Sequence, residues 1–133
     1  MNTAELQPVW APRFLSILRI MTALLFLEHG TQKLLGFPAS DYVPAVMSLP
    51  WSAGVLELFG GAVLAVGLFT RPVAFILSGQ MAVAYFIAHA PASFFPVLNG
   101  GESAILFCFI FLYLVFAGPG PWSVDAMRAR GPD

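Results

Sequence analysis

An acid, an imidazole and an amine lie close together in an otherwise apolar stretch of the chain. The stretch reads LFLEHGTQKLLGFP over residues 25–38, and it carries Glu28, His29 and Lys33. Carboxyl and imidazole groups serve as general acids and bases, and each can exchange a proton with a bound molecule. An unpaired charge in hydrocarbon costs at least about 2.5 to 3.5 kcal/mol, so such groups usually pair or line a cavity. We therefore expect these side chains to face partners inside the protein.

The composition places this stretch in a membrane protein. Hydrophobic residues make up 59% of the 133 residues, charged residues make up 10%, and the mean hydropathy is +0.82, whereas soluble domains carry about 25% charged residues. Each of four apolar runs can cross a hydrocarbon core of about 30 Å, the shorter ones with help from flanking residues. The sequence predicts an all-α four-transmembrane-helix bundle with helices at about 14–36, 52–69, 73–90 and 102–117.

The basic residues indicate the orientation of the bundle. They flank the apolar runs on one side only, at Arg13, Arg71, Arg128 and Arg130. Since cytoplasmic loops carry an excess of Lys and Arg, we expect both termini in the cytoplasm. The chain then divides into a cytoplasmic N-terminal segment, a transmembrane domain and a cytoplasmic tail, at 1–12, 13–117 and 118–133. The N-terminal segment carries Glu5 and two prolines instead of a basic region, so we expect it to be retained.

This topology brings polar groups from the other runs to the depth of the opening stretch. Glu57 lies near the outer start of the second run, on a face with Ala53, Gly61 and Ala65 at intervals of four residues, which is typical of helix packing. A stripe of small and polar side chains in the third run passes through Tyr85 and ends at His89. The sequence predicts a ligand site in the outer half of the bundle, formed by Glu28, His29, Gln32, Lys33, Glu57, Tyr85, His89, Asn99 and Glu102.

Simpler roles stay open for several of these groups. Lys33 could extend to the outer headgroups, and His89 could be an interfacial side chain. Glu102 could be the acid of a capping box with Asn99 in the cap position. Arg19, near the inner side, is expected to reach cytoplasmic headgroups.

Four strings, by their order and spacing, resemble the DoxX family of small four-helix membrane proteins. They are HGTQKLLGF (29–37), GVLELFGGAVLAVGLFTRP (54–72), NGGESAILF (99–107) and FAGPGPWSVD (116–125). The resemblance implies a link to quinones, because the family includes a small subunit of a thiosulfate:quinone oxidoreductase, proteins tied to quinone or catechol resistance, and a member that bridges soluble redox enzymes to the membrane. The characteristic positions carried over by motif are His29, Gln32, Lys33, Glu57, Arg71, Asn99 and Glu102.

The leading hypothesis is a quinone-binding or quinone-linked redox subunit in a bacterial plasma (inner) membrane. The quinone carbonyls would lie near the catalytic candidates His29, Lys33 and Glu57, and its ring among Phe26, Phe59, Tyr85, Phe86 and Phe109. No flavin or nicotinamide motif is present, and Cys108 is the single cysteine, so electrons would come from a redox protein partner or from the substrate.

Three alternatives stay open. The chain could be a non-catalytic scaffold or interaction subunit for a redox partner, or a conductor of protons or solutes. It could also hold haem or a metal through His29 and His89, although Glu28 and His29 diverge by about 100° and lack the Glu-x-x-His spacing of diiron bundles. We therefore assign no metal ligands. The scattered basic residues and the net charge of −1 predict no nucleic-acid binding, and a homo-oligomer stays open.

Overall fold

The computed structural model describes residues 2–131, and the regular structure in that range is entirely helical, without strands. Its elements are α1 (Thr3–Leu35), α2 (Leu49–Val66), α3 (Thr70–Ala84), α4 (Pro96–Asn99), α5 (Glu102–Ala117) and α6 (Val124–Arg130). A π-helical turn, Tyr85–His89, continues α3. The predicted all-α class is confirmed.

Three of these helices are long and apolar enough to cross a membrane: α1, α2, and α3 together with its π-helical turn. The apolar helix α5 has 16 residues, which is about 24 Å at 1.5 Å per residue and less than a hydrocarbon core of about 30 Å. The helices define an integral membrane protein. The fourth crossing and the cytoplasmic position of the termini stay predictions.

The first helix begins at Thr3, whereas the sequence pattern suggested a start at 14 after a separate segment. The side chain of Asn2 accepts hydrogen bonds from the backbone N–H groups of Ala4 and Glu5, and the Glu5 carboxylate accepts one from the backbone N–H of Asn2. This capping box satisfies the first free N–H groups of the helix. The helix therefore starts ahead of Pro8 and Pro12, which it contains in its interior.

Small residues hold α1 against α2, while α3 packs chiefly on α5. A Cβ atom added to Gly30 would overlap the backbone N of Leu58, and one added to Gly61 would lie 3.1 Å from the Cα of Leu27. Such close backbone approach is how membrane helices gain packing without a hydrophobic drive between them. The large residues at the centre of the bundle are fully buried: Phe26, Leu64, Leu77, Phe111 and Leu114.

Arg19, midway along α1 and beside the end of α2, is fully buried, which corrects the expectation that it reaches headgroups. Its guanidinium donates to the carbonyl oxygens of Pro119 and Trp122, and more weakly to Ala65 at 3.4 Å. The chain after α5 contains prolines and glycines that end the helix, so its carbonyls have no helical partners. Arg19 supplies those partners and fixes the 118–123 segment against α1.

Asp125, in the first turn of α6, joins the chain after this segment to the start of α3. Its carboxylate accepts hydrogen bonds from the backbone N–H groups of Phe69 and Thr70 at 2.9 and 2.8 Å. Burial acts to raise the pKa of Asp125, but the hydrogen bonds from Thr70 and Phe69 outweigh it and lower the pKa below its ordinary value. The ionised carboxylate thus stabilises the start of the helix, where free N–H groups favour negative charge.

Candidate ligand site

An ion pair between α1 and α2 forms the centre of the candidate site. The Nζ of Lys33 lies 2.8 Å from Oε1 of Glu57, and the Glu57 side chain is only 4% exposed. Gly54, close to Glu57 on α2, makes room for this contact, because a Cβ there would lie 3.0 Å from the Cβ of Lys33. The predicted small-residue face of α2 therefore does bring Glu57 into the bundle.

Gln80 of α3 also reaches this ion pair, and the sequence interpretation missed it. Its Nε2 donates to the carbonyl of Ala53 at 3.3 Å and approaches Oε1 of Glu57 at 3.5 Å. Gln80 is followed at intervals of four residues by Ala84 and Ala88, which makes a second small and polar stripe on the same helix. That spacing is the sequence signal that indicates an inward-facing Gln80, but the stripe through Tyr85 and His89 gives a signal of the same kind.

Four predicted residues line one cavity of about 290 Å³ beside the ion pair: His29, Lys33, Glu57 and His89. Phe26 and Phe107 supply aromatic walls. The remaining lining is small or flexible, and comprises Met81, Ala84, Ala88, Gly100, Ser103 and Ala104. The volume is at the lower end of the range for ligand pockets, about 300 to 1,000 Å³, and suits a single substituted ring.

The π-helical turn at the end of α3 presents His89 to this cavity. The Nδ1 of His89 lies 3.0 Å from the carbonyl oxygen of Asn99, and since a carbonyl only accepts, Nδ1 carries the hydrogen. The ring of Tyr85 stacks on that of His89 with centroids 6.3 Å apart. Tyr85 and Asn99 therefore lie behind His89 and orient it, without lining the cavity themselves.

Asn99 fixes the loop before α5 instead of capping that helix. Its Nδ2 donates to the hydroxyl of Tyr85 and to the carbonyl of Ser93, and its Oδ1 accepts from the N–H of Gly101. Gly101 is the N-cap residue of α5 and makes no side-chain cap. The proposed capping box of Asn99 with Glu102 is therefore wrong, because the Asn99 amide is already engaged in the loop.

Glu28, Gln32 and Glu102 do not line the cavity, although the sequence grouped them with it. Glu28 and Glu102 are exposed. Glu28 precedes His29 by one residue, and the rotation of about 100° per residue turns it away from the side that faces the cavity. Similar depth in the membrane was therefore insufficient to bring these groups together.

Two other groups of residues named from the sequence lie outside the cavity. Arg71, carried over by motif, donates to the carbonyls of Val115 and Phe116 at 2.7 and 2.6 Å, close to the end of α5. Three aromatic residues expected around a ring are exposed by 65 to 70%: Phe59, Phe86 and Phe109. They lie on outward helix faces, which in a membrane chain are solvated by lipid, and Phe107 takes their place in the cavity.

A second, mostly apolar cavity of about 420 Å³ lies between α2 and α3. Its walls include Leu56, Ile76, Val83 and Ile87. It shares Lys33, Ala84 and Ala88 with the polar cavity. The two cavities therefore adjoin along one wall, with polar groups on one side and aliphatic groups on the other.

Two buried oxygen atoms next to this wall have no hydrogen-bond partner among residues 2–131: Oε2 of Glu57 and Oε1 of Gln80. An unsatisfied buried acceptor costs about 1 to 3 kcal/mol, more when it is charged. At a cavity wall a water molecule or a ligand can reach such a group and supply the donor. Within the described part of the chain, no three His, Cys, Asp or Glu side chains are grouped closely enough to hold a metal ion.

The fold and the cavity define a small helical integral membrane protein with a polar site between its helices. The sequence model of the DoxX family matches residues 14–90, and the chain belongs to the DoxX family. A protein of Haemophilus influenzae, described as an uncharacterized protein, is 47% identical over 124 residues, which cover 87% of this chain and 91% of that protein. No solved structure matches the chain.

Proposed function

We propose that this DoxX protein binds a quinone-type ring in the cavity beside Lys33 and Glu57, as a quinone-linked subunit of a membrane redox system. One observation carries the proposal: the ion pair of Lys33 with the buried Glu57 leaves Oε2 of Glu57 without a partner among residues 2–131, in the wall of a ring-sized cavity. A buried charge of this kind is expensive in a membrane, and interhelical polar contacts average only about 0.6 kcal/mol of stabilisation. A binding role accounts for the arrangement better than a purely structural one.

The side chains fit the chemistry of the quinone and quinol pair, which exchanges two electrons and two protons. Glu57 and His29 are the proton-exchanging candidates, and Lys33 offers N–H donors to a ring oxygen. Phe107 contacts Phe26 and His29 edge-on, with centroids 5.4 and 6.1 Å apart, and supplies the apolar wall that a flat ring requires.

The apolar cavity between α2 and α3 extends the proposal to a membrane-borne ligand. A quinone with an isoprenoid chain needs a polar place for the ring and an aliphatic place for the chain. The two cavities meet at Lys33 and Ala84, which suits such an amphipathic molecule. In this proposal four helices span a bacterial plasma membrane with both termini inside, and a redox protein partner supplies or removes the electrons.

The test is extraction and re-addition of the ligand. We expect organic solvent to extract a quinone from protein that was purified in mild detergent. We also expect ubiquinone-1 to bind when it is added to delipidated protein, or to protein refolded after extraction. Glu57→Gln should weaken the binding of the reduced form, ubiquinol-1, at least tenfold, since it removes the carboxylate that accepts from a ring hydroxyl. Glu28→Gln is the matched control, because Glu28 is an exposed carboxylate outside the cavity, and it should bind as the wild type does.

Absence of any quinone in the extract, together with no binding on re-addition, would refute the proposal. A host redox system that keeps full activity with both Glu57→Gln and His29→Ala would indicate a scaffold instead.

A further inference from the structure

The hydrogen-bonding groups around the cavity discriminate between oxidation states of the proposed ligand. Glu57 uses Oε1 for Lys33 and Gln80, and its Oε2 is buried without a partner among the described residues. As the carboxylate of an ion pair, Glu57 can only accept hydrogen bonds. A ligand atom next to Oε2 must therefore be a donor, because a second lone pair there would be repelled.

His89 adds a second acceptor from another helix. Its Nδ1–H donates to the carbonyl of Asn99 at 3.0 Å, and the other nitrogen of a neutral imidazole is then an acceptor. Tyr85 and Asn99 hold the ring in this orientation. The cavity thus has acceptors on two walls, at Glu57 in α2 and at His89 after α3.

Lys33 is the cavity's cationic donor, and it restricts the ligand further. Its ammonium has three N–H groups, of which one is used by Glu57. A ring oxygen between Lys33 and Glu57 has to accept from the ammonium and donate to the carboxylate. A hydroxyl group does both, whereas a quinone carbonyl accepts only.

Gln80 supports this assignment from behind the ion pair. Both partners of its Nε2 are oxygen acceptors, the carbonyl of Ala53 and Oε1 of Glu57. The reversed amide would place oxygen against oxygen, so its partners fix the orientation. Gln80 thereby helps to hold Oε1 of Glu57 toward Lys33, which leaves Oε2 for the ligand.

We infer that this cavity selects the reduced, dihydroxy form of an aromatic ligand over the corresponding quinone. The inference rests on the proposed function and names the form of the ligand that the site holds. The hydroxyl groups of a hydroquinone lie at opposite ends of the ring, as the acceptors lie on different walls. Leaving one buried acceptor without a donor weakens binding by roughly 5- to 150-fold, so the preference should be on the order of tenfold.

The first experiment compares three probes on the wild-type protein in nanodiscs without oxygen. The probes are 2,3-dimethoxy-5-methylhydroquinone, the matching benzoquinone, and the hydroquinone with both hydroxyls methylated. Calorimetry should show the hydroquinone binding about tenfold or more tightly than either of the others. The methylated probe separates donor capacity from redox chemistry, since it has the ring but no O–H groups.

The second experiment tests whether the preference for the hydroquinone over the quinone depends on the Glu57 carboxylate. Glu57→Gln can still accept from Lys33 through its oxygen, but it turns an N–H donor toward the ligand. The ratio of hydroquinone to quinone affinity should then fall to one or reverse. Glu28→Gln should leave that ratio unchanged, and size-exclusion chromatography checks that both variants are folded.

The outcomes separate this inference from the function on which it rests. If none of the probes binds the wild type, the proposed function itself is refuted. If the quinone binds as well as or better than the hydroquinone, the function stands and the selection of the reduced form is overturned. The wild-type comparison decides this even if Glu57→Gln does not fold.

Discussion

Two buried charged side chains near opposite ends of the bundle, Arg19 and Glu57, have different surroundings. Arg19 has zero exposure, and backbone carbonyls of the chain itself surround it, from α2 and from the 118–123 segment. Glu57 is nearly as buried, but it has one ion-pair partner. Each side chain also has one buried polar atom without a partner in the described structure, which is Nε in Arg19 and Oε2 in Glu57. A cavity adjoins Glu57, whereas the chain after α5 covers Arg19.

The difference shows what distinguishes a structural charge from a binding charge. Both side chains are buried, and the free-energy cost of burying a charge is similar for each, so neither burial nor this cost distinguishes the two roles. The separating feature is whether a cavity adjoins the group. At Arg19 the chain after α5 fills the space and supplies carbonyls that would otherwise be free, while at Glu57 a cavity leaves room for a molecule from outside the chain.

The largest effect should come from removing the structural charge. Arg19→Met keeps the side-chain length but leaves the carbonyls of Pro119 and Trp122 buried without donors. We expect a loss of about 3 to 5 kcal/mol in the free energy of unfolding, measured by thermal unfolding in detergent. New proteolytic cleavage within 118–123 should accompany it. Arg13→Met, at a less buried arginine stacked on Trp10, is the control and should cost much less; equal losses would contradict the structural role of Arg19.

The next effect tests the helix contact that places Lys33 beside Glu57. Gly30→Ala adds a Cβ against the backbone of Leu58, so α1 and α2 must separate. Overpacking of this kind costs about 1 to 3 kcal/mol, and affinity for the hydroquinone probe should fall with it. Gly79→Ala is the control, because nothing lies within 4 Å of a Cβ there, and it should be neutral or stabilising by up to about 1 kcal/mol. Identical behaviour of the two variants would refute the close approach.

A smaller, pH-dependent effect should distinguish Asp125 at the Arg19 end. Asp125→Asn weakens the cap on α3, at a cost of about 1 kcal/mol. Since hydrogen bonds lower the pKa of Asp125 in the folded protein, its stabilising effect is complete above the ordinary pKa of 3.8 and is lost as the pH falls through the lower folded value. Thermal unfolding of wild type and variant should therefore differ at pH 6 and converge below pH 3.8. A difference that is constant down to the lowest pH would contradict this role.

The smallest effect should appear at Glu102. It is exposed and lies outside the cavity, so Glu102→Gln should change stability by less than about 0.5 kcal/mol. Affinity for the hydroquinone probe should be the same as in the wild type. A tenfold loss of affinity would show that Glu102 belongs to the site, which would then extend beyond the cavity beside Glu57.

Hydropathy and periodicity predicted the helical class and the inward face of α2 because both depend on patterns within one segment. Glu57 shares its face with small residues at intervals of four, and a short-range rule is enough to orient it. The start of α1 was missed because the capping box of Asn2 and Glu5 was overlooked beside two prolines. Local signals therefore predict the start of a helix when the cap residues and the prolines near them are considered together.

The partners of the buried charges depend on long-range contacts that no local pattern contains. Arg19 finds its carbonyls in a segment 100 residues further along the chain. Glu28 and Glu102 lie on exposed faces of their helices, outside the cavity. The sequence does not single out Gln80, because two stripes of small and polar residues run along α3. Only the packing of α2 against α3 shows which stripe faces Glu57.

The π-helical turn has an evolutionary reading. Such a turn is equivalent to one extra residue in an α-helix, and here it ends at His89. Deleting a single residue between Tyr85 and His89 would restore regular winding and leave the imidazole on the same helix face, because the five residues of the π-helical turn cover roughly the rotation of four residues in an α-helix. A one-codon deletion would therefore keep this histidine on its side of the helix, whereas rewinding the same five residues as an α-helix would turn the imidazole by about 100°, away from the carbonyl that fixes its tautomer.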